Sequence, residues 1–538
     1  MTAIRVEAAN THDVIVVGGG HNGLVAAAYL ARAGRKVAVL EARDRMGGAC
    51  ATTEFIPGYR VSYPNSPGSL EPRVVADLEL ERFGLRFFRP ELTVVHGFPD
   101  RCFIGWRDRA RVDRQLDSLA EGESGRYHGL LAELEAFAAD LGVSLFEPPP
   151  DLVTLAQRMK TPAQKRMFER VFNGSLAELL DGALRSHEAK ALLGMVATAG
   201  NLTPISMPGS AMGLMLRPLS LASSPAGAGD AHDPRRTALR GSTGLAIGGM
   251  GAIVDALVAV LRSHAATLRT EVPVARVLHR DGRVCGVATR AGEEFTAPVV
   301  ISALSPKLLF RDLLDDAAVG ADLRREIAGL RIRGSAFKIA LALDGLPSYR
   351  GLPDDLPSTV AATTQFRMGA SLDWIESSIV DALSGVPSRN PIIWGLIPSA
   401  TSPGLAPEGR HLMSINLFHA PYELREGSWD TERDRFGKHC IDVLTEMMPD
   451  LPDRIVATRF MAPPEIETDL GMVEGNITHG DMQPRLLFGA RPHRAVSDYR
   501  TPLRGLYLSG AGTWPGGYVT GVPGHNSAHA VLADQIRN

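Results

Sequence analysis

Cysteine is scarce. The 538 residues hold four, Cys50, Cys102, Cys285 and Cys440, far apart and with no C-x-x-C pair. That spacing supports no disulfide framework, zinc site or redox dithiol, and it suits a reducing compartment. Charge of one sign is lacking too. Lys plus Arg is 57 and Asp plus Glu is 60, with no dense basic run, so nucleic acid is not an expected partner. No apolar run is long and clean enough for a membrane span. The nearest case, residues 191–216, carries no charge but is interrupted by Asn201, Pro204 and Pro208. The first ten residues are too short and polar for a signal peptide. A cytoplasmic protein is expected, and peripheral contact with a membrane is compatible with these features. There is no G-x-S-x-G, so a serine hydrolase is unsupported. His525 and His529 have metal-ligand spacing, but no Glu frame or third ligand accompanies them. A structural role is expected for both, and no metal.

What is present begins at residues 12–48, HDVIVVGGGHNGLVAAAYLARAGRKVAVLEARDRMGG. Residues 14–17 form a short β-branched run, as in a buried parallel strand. Gly18, Gly20 and Gly23 follow in G-x-G-x-x-G spacing. Residues 24–33 read as a helix, and residues 36–40 as a second strand closed by Glu41. Strand, glycine turn, helix, strand and acid make a dinucleotide-binding βαβ unit. Gly18 permits the turn, Gly20 lets the backbone approach a pyrophosphate, and Gly23 lets helix and strand pack. The helix start offers N–H groups to the phosphate, and Glu41 can accept from ribose hydroxyls.

A chain of 538 residues needs more than one core. Residues 71–80 read as helix, 91–106 as strands with turns, 118–141 as one long helix, and 152–199 as mostly helical. Pro57-Gly58 and Pro67-Gly68 mark turns, and residues 217–240 read as a long loop. Residues 252–264 read as helix, 270–279 and 299–303 as strands, and Asp281-Gly282 as a hairpin turn. Gly248, Gly249 and Gly251 do not make a second nucleotide site, because no apolar strand enters that turn. Strands are expected at 337–344 and 391–397, and a helix at 431–448. Residues 504–514, RGLYLSGAGTW, then lead through PGGYVTGVPG into a last helix from about residue 525.

Three stretches carry a family resemblance: E-x-R-x-R-x-G-G at 41–48, G-G-M-G at 248–251, and G-A-G-T-x-P-G-G-x-V-T-G-V-P-G from Gly510. The chain resembles the phytoene desaturase and carotenoid isomerase branch of the flavin amine oxidase superfamily. Within it, the G-N-I-T-H-G stretch, residues 475–480, resembles the pyridine nucleotide-disulfide oxidoreductase domain-containing protein 2 type. The resemblance implies an α/β fold, with a discontinuous Rossmann-like FAD-binding domain and an inserted α+β substrate domain. The FAD pieces are expected at 1–70, 241–330 and 471–538, and the substrate pieces at 71–240 and 331–470. It implies FAD contacts at Gly18, Gly20, Gly23, Glu41, Arg43, Gly47, Gly48, Val274 (through its backbone, beside the adenine), Gly512, Thr520, Gly521 and Val522. The flavin should be non-covalent, because Leu508-Ser509-Gly510 lacks the Cys that tethers it in some relatives.

The resemblance does not identify catalytic residues. Where relatives have a His, this chain has Trp514, and Tyr518 stands where Gly is common. Both are expected either to face the flavin or to pack the cap. His479 reaches the pocket or stabilises its turn, the second being the plainer expectation. Lys338 holds a water near the flavin or points to solvent from an edge strand, again with the second expected. The resulting expectation is an FAD-dependent oxidoreductase that desaturates an apolar or partly apolar small molecule and passes electrons to oxygen or a quinone. Amine oxidation, polyene isomerisation and a flavin-stabilised interaction protein are the alternatives. Residues 191–216, with Met195, Met207, Met212 and Met215, are expected to line the substrate's path, with ordinary core as the competing reading.

Overall fold

A computed structural model describes residues 10–64, 70–223 and 244–537. The turn at Pro67-Gly68 and residues 224–240 of the expected loop lie outside the described residues; residues 217–223 belong to the helix Leu216–Ser223.

The element that positions everything else is a five-stranded parallel sheet. Its spatial order is Leu506–Leu508, Val299–Ser302, Val14–Val17 (β1), Val37–Leu40 (β2) and Thr267–Arg269. Val14 pairs with Val299 on one side and Val37 on the other. The strands come from three distant parts of the chain, so the sheet forms only when they return to one another. Every residue of β1 and β2 is buried. Val14, Val16, Val37 and Val39 join one core, while Ile15, Val17, Ala38 and Leu40 join another. Burial on both faces explains the unbroken apolar runs, since no position is left for a polar residue.

Helix α1, His21–Arg32, connects β1 to β2 and packs between Gly251–Ser263 and Val522–Arg537. Its Ala-rich face lets three helices approach closely. On the opposite face of the sheet lies the antiparallel ribbon Val274–Arg280, Arg283–Thr289 and Glu294–Thr296.

A second, seven-stranded sheet runs in the order Ile455–Met461, Ser335–Leu343, His411–Ala420, Ile393–Leu396, Phe366–Met368, Leu92–Gly97 and Cys102–Trp106. Two of its strands precede Thr267–Arg269 in the chain and five follow Val299–Ser302. Ser335–Leu343 is an interior strand with all nine residues buried. The helix expected over residues 118–141 is divided. Arg109–Leu119 ends first, and Glu123–Leu141 starts after Gly122 at φ 69°, a left-handed conformation that stops a continuous helix. No helix among the described residues is long and apolar enough to cross a membrane.

Candidate functional site

The parallel sheet ends in a cavity of about 640 Å³. Its walls come from the glycine turn, the Gly48–Cys50 segment, the strand His411–Ala420, the 470–479 loop and the C-terminal glycine loop.

The three glycines do separate physical work. Gly18 has φ +100°, which an L side chain rarely adopts. A Cβ on Gly23 would sit 2.2 Å from the Gly18 carbonyl oxygen, so helix and turn pack at backbone contact. A Cβ on Gly20 would meet nothing within 4 Å, because Gly20 faces the cavity. The first intrahelical bond of α1 runs from Leu24 N–H to the Gly20 carbonyl. The N–H groups of His21, Asn22 and Gly23 precede that bond and stand at the helix start without intrahelical acceptors. Open space beside Gly20 and these donors suit a pyrophosphate.

Glu41 also lines the cavity, but its carboxylate already braces the turn. Oε2 accepts from Gly19 N–H at 2.7 Å and Oε1 from Arg43 N–H at 3.0 Å. A carboxylate has further lone pairs, so ribose hydroxyls remain within its capacity. Arg43 lines the wall and donates to the Gly48 carbonyl at 2.9 Å and the Asp469 carbonyl at 2.8 Å. It ties the Gly48 loop to the end of the helix Pro463–Leu470. Val274 lies on the wall beside Val272, Leu308 and Leu313, an apolar slot that suits a flat aromatic base.

Five positions implied by the family pattern, Gly47, Gly512, Thr520, Gly521 and Val522, are not part of the wall. Gly512 packs on Pro306, whose Cδ would be 2.3 Å from an added Cβ. Gly521 faces Val74, Leu70 and Val25, and Thr520 Oγ1 accepts from Val522 N–H at the start of the last helix. The C-terminal wall runs instead through Gly510, Ala511, Tyr518 and Val519. Gly47 also lies behind it, at φ +119° and against Val254.

Of the pocket candidates, Tyr518 and His479 lie on the cavity wall, and both are non-glycine residues at positive φ, 71° and 53°. The Tyr518 hydroxyl donates to the Ala199 carbonyl at 3.1 Å. Trp514 does not reach the cavity. It is buried in the core at 5.0 Å from the Phe488 ring, and its indole N–H points to the Ser144 carbonyl. Its large apolar ring is better satisfied there than on a wall. Lys338 does not point to solvent either. Its strand has a neighbour on each side, it is 2% exposed, burial lowers its pKa well below the usual lysine value, and its Nζ donates to Ser414 Oγ and, at 3.1 Å, to Asn416 Oδ1. It lines a second chamber of about 250 Å³ that shares Arg43, Gly48, Ala49, Tyr63 and Leu470 with the main cavity.

The methionine stretch is core. Met195, Met212 and Met215 are sealed among apolar side chains, while Met207 faces solvent. Only Ala199 and Gly200 of residues 191–216 touch the cavity. An uncharged stretch fits a sealed core as readily as a lined path, and here the short helical pieces pack on one another.

His21 has no role legible in the sequence, although its place after the second glycine puts it at the helix start. Its ring lies between Cys50, whose Sγ is 3.6 Å from Nδ1, and His479. Burial first, then the nearness of His479, lowers its pKa to about 4. His479 is lowered to about 4 by burial and by the charge of Arg491. Burial pushes the Cys50 thiol up to about 12, so it is not a thiolate. Asn416 and Phe418 are also absent from the sequence-based expectations. They sit two apart on one strand, so both side chains share the face that reaches the wall. Among the described residues, no cluster of His, Cys, Asp or Glu could hold a metal. His525 and His529 stack on each other at 3.9 Å in the last helix.

The family profile described as flavin containing amine oxidoreductase matches residues 23–524. The chain belongs to that family. The rat (Rattus norvegicus) pyridine nucleotide-disulfide oxidoreductase domain-containing protein 2 is 31% identical over 557 residues, spanning 97% of this chain and 94% of its own. A limonene dehydrogenase component of Castellaniella defragrans is 24% identical over 98% of this chain and 95% of its own. A structure of putrescine oxidase bound to putrescine shares the fold at TM-score 0.63 and 16% identity, covering 98% of this chain and 99% of that one. The protein is an FAD-dependent oxidoreductase. The open cradle at Gly20, the helix start and the slot at Val274 are the residues that would hold the FAD, which supplies two-electron redox chemistry when bound.

Proposed function

We propose that this flavoenzyme dehydrogenates an apolar or partly apolar small molecule and passes the electrons to oxygen or a quinone. One observation carries the reading. Beyond the fingerprint, the cavity is walled by Tyr63, Phe418, Leu470, Met472 and Ile477, while Glu41 and Asp312 are its only carboxylates among the described residues. Glu41 is engaged by backbone N–H groups, and Asp312 forms a two-pronged pair with Arg311. An alkylammonium would find apolar side chains and no free anion there, which costs it hydration without return. A hydrocarbon meets no such cost. The pocket residues orient the substrate and exclude water, and bound FAD would supply the two-electron acceptor.

Electrons leave to oxygen or a quinone in this reading, because the sequence holds no second nucleotide-binding unit for NAD(P)H. The relative that carries limonene in its name adds weight to a hydrocarbon substrate. The test is anaerobic mixing of the yellow holoenzyme with limonene and, separately, with putrescine. Bleaching by limonene and not by putrescine is expected. Faster bleaching by putrescine would replace this reading with amine oxidation.

A further inference from the structure

Residues 475–482 form a loop whose shape is over-determined. Asn476 Oδ1 accepts from Thr478 N–H at 2.9 Å, Thr478 Oγ1 at 2.9 Å and Gly480 N–H at 3.1 Å. Its Nδ2 donates to the Gly334 carbonyl at 3.0 Å and to Asp481 Oδ1 at 3.2 Å. Asp481 in turn accepts from the N–H groups of Arg333 and Gly334. Arg491, 2% exposed, spends its guanidinium on backbone carbonyls: Thr478 at 2.6 Å, Ala511 at 2.7 Å and Asp481 at 3.3 Å. It thus fastens this loop to the C-terminal glycine loop that packs beside it.

The residue these bonds present is His479. Its backbone is held at φ +53°, a left-handed conformation that strains a non-glycine residue. Its ring stands on the cavity wall and makes no hydrogen bond to any described residue, and Nδ1 is buried. A histidine that merely stabilised its turn would bond to it. Here Asn476 does that work, and the imidazole is left for something that enters the cavity.

We propose that His479 is the catalytic base of the site, taking from the substrate the proton released as the double bond forms. The proposal rests on the dehydrogenase reading. C–H bonds on adjacent carbons break. One hydrogen leaves with its electron pair, which bound FAD would accept; the other leaves as a proton to His479, and its bonding pair becomes the new C=C. The substrate loses two electrons, for which bound FAD would be the acceptor, and the imidazolium releases its proton to bulk water once the product has left. The groups that face His479 are His21 from α1 and Arg491 from behind the loop. Burial, then Arg491, holds the ring neutral, so at neutral pH its nitrogens are free of the extra proton and can serve as acceptor. That a weak base suffices follows from the chemistry: a carbon that has lost an electron pair makes its neighbouring C–H strongly acidic.

Asn and Gly both tolerate the backbone conformation at this position. His479→Asn and His479→Gly should therefore bind FAD within about twofold of the parent, read by quenching of FAD fluorescence. Anaerobic bleaching by limonene should fall by about 100-fold or more in both. Added imidazole should restore much of the rate to His479→Gly, because the missing ring leaves its own space. A parental rate in either variant, or a loss that imidazole leaves in place, overturns the proposal while the dehydrogenase reading stands. Loss of FAD from both variants overturns it too, by assigning His479 to the architecture of the loop. If limonene fails to bleach the parent, the dehydrogenase reading falls and takes this proposal with it.

Discussion

Replacing Gly20 and Gly23 separately divides cofactor binding from folding. Gly20 sits at φ −67°, ψ 164°, an extended conformation that valine accepts, and an added Cβ meets no atom within 4 Å. Gly20→Val should therefore fold. Its cost to the apoprotein is the poorer helix cap, about 1 kcal/mol, and a shift in melting temperature of no more than a few degrees is expected. The side chain would fill the space beside the helix start and keep a pyrophosphate from the N–H groups of α1. Two lost charge-assisted hydrogen bonds, at about 1.5–3 kcal/mol each, amount to a weakening of FAD binding by roughly 10²–10⁴. Gly23→Ala is the opposite case. Its Cβ would lie 2.2 Å from the Gly18 oxygen and 3.0 Å from Ala303 Cβ, and neither is the end of a flexible chain. The turn must shift, at about 1–3 kcal/mol or more, so this smaller substitution should lower the melting temperature further. The assay pairs flavin content, from the absorbance ratio of the purified protein, with thermal unfolding of the stripped protein. Full flavin content in Gly20→Val would refute the cradle. So would a Gly20→Val protein that melts well below Gly23→Ala.

Other outcomes follow from the same geometry. Met215→Glu should abolish soluble expression, because it places an unpaired carboxylate in a sealed core; soluble protein with weakened limonene binding would restore the substrate-path reading. Trp514→Ala should destabilise by about 3–5 kcal/mol through the cavity it leaves, with the flavin spectrum unchanged, and a shifted spectrum would put the ring near the cofactor after all. Acid should destabilise the fold partly through His96, which is fully buried and lowered to about 3 by burial, then by Arg367. Because its folded pKa lies below the unfolded value of about 6.5, the unfolded chain binds more protons between the two. Stability from this group is complete above about pH 6.5 and is lost as pH falls toward 3. His96→Gln should flatten denaturant midpoints across that window, and an unchanged slope would refute the assignment. Denaturation should release intact FAD, since the one cysteine on the cavity wall, Cys50, is held protonated; flavin that stays with the chain would show a covalent bond.

What the sequence alone determined is local. The βαβ unit was legible because strand, turn and helix each write their own pattern within thirty residues, and the physics of each is short-range. Gly18, Gly20 and Gly23 have conformation, space and packing that differ as their positions imply. Tertiary structure decided everything that depends on which distant segments meet. Lys338 reads like a residue of an edge strand until Ile455–Met461 and His411–Ala420 pair on either side of it. Residues 191–216 have a composition that fits a sealed core and a lined path equally, and only packing separates them. Trp514 lies between two glycine turns that flank the cavity, yet its ring turns away toward Phe488. His21 and His479 are 458 positions apart in the chain, and no periodicity links them. They meet because β1 and the 475–482 loop converge at the end of one sheet, where burial lowers both pKa values, helped by His479 at His21 and by Arg491 at His479.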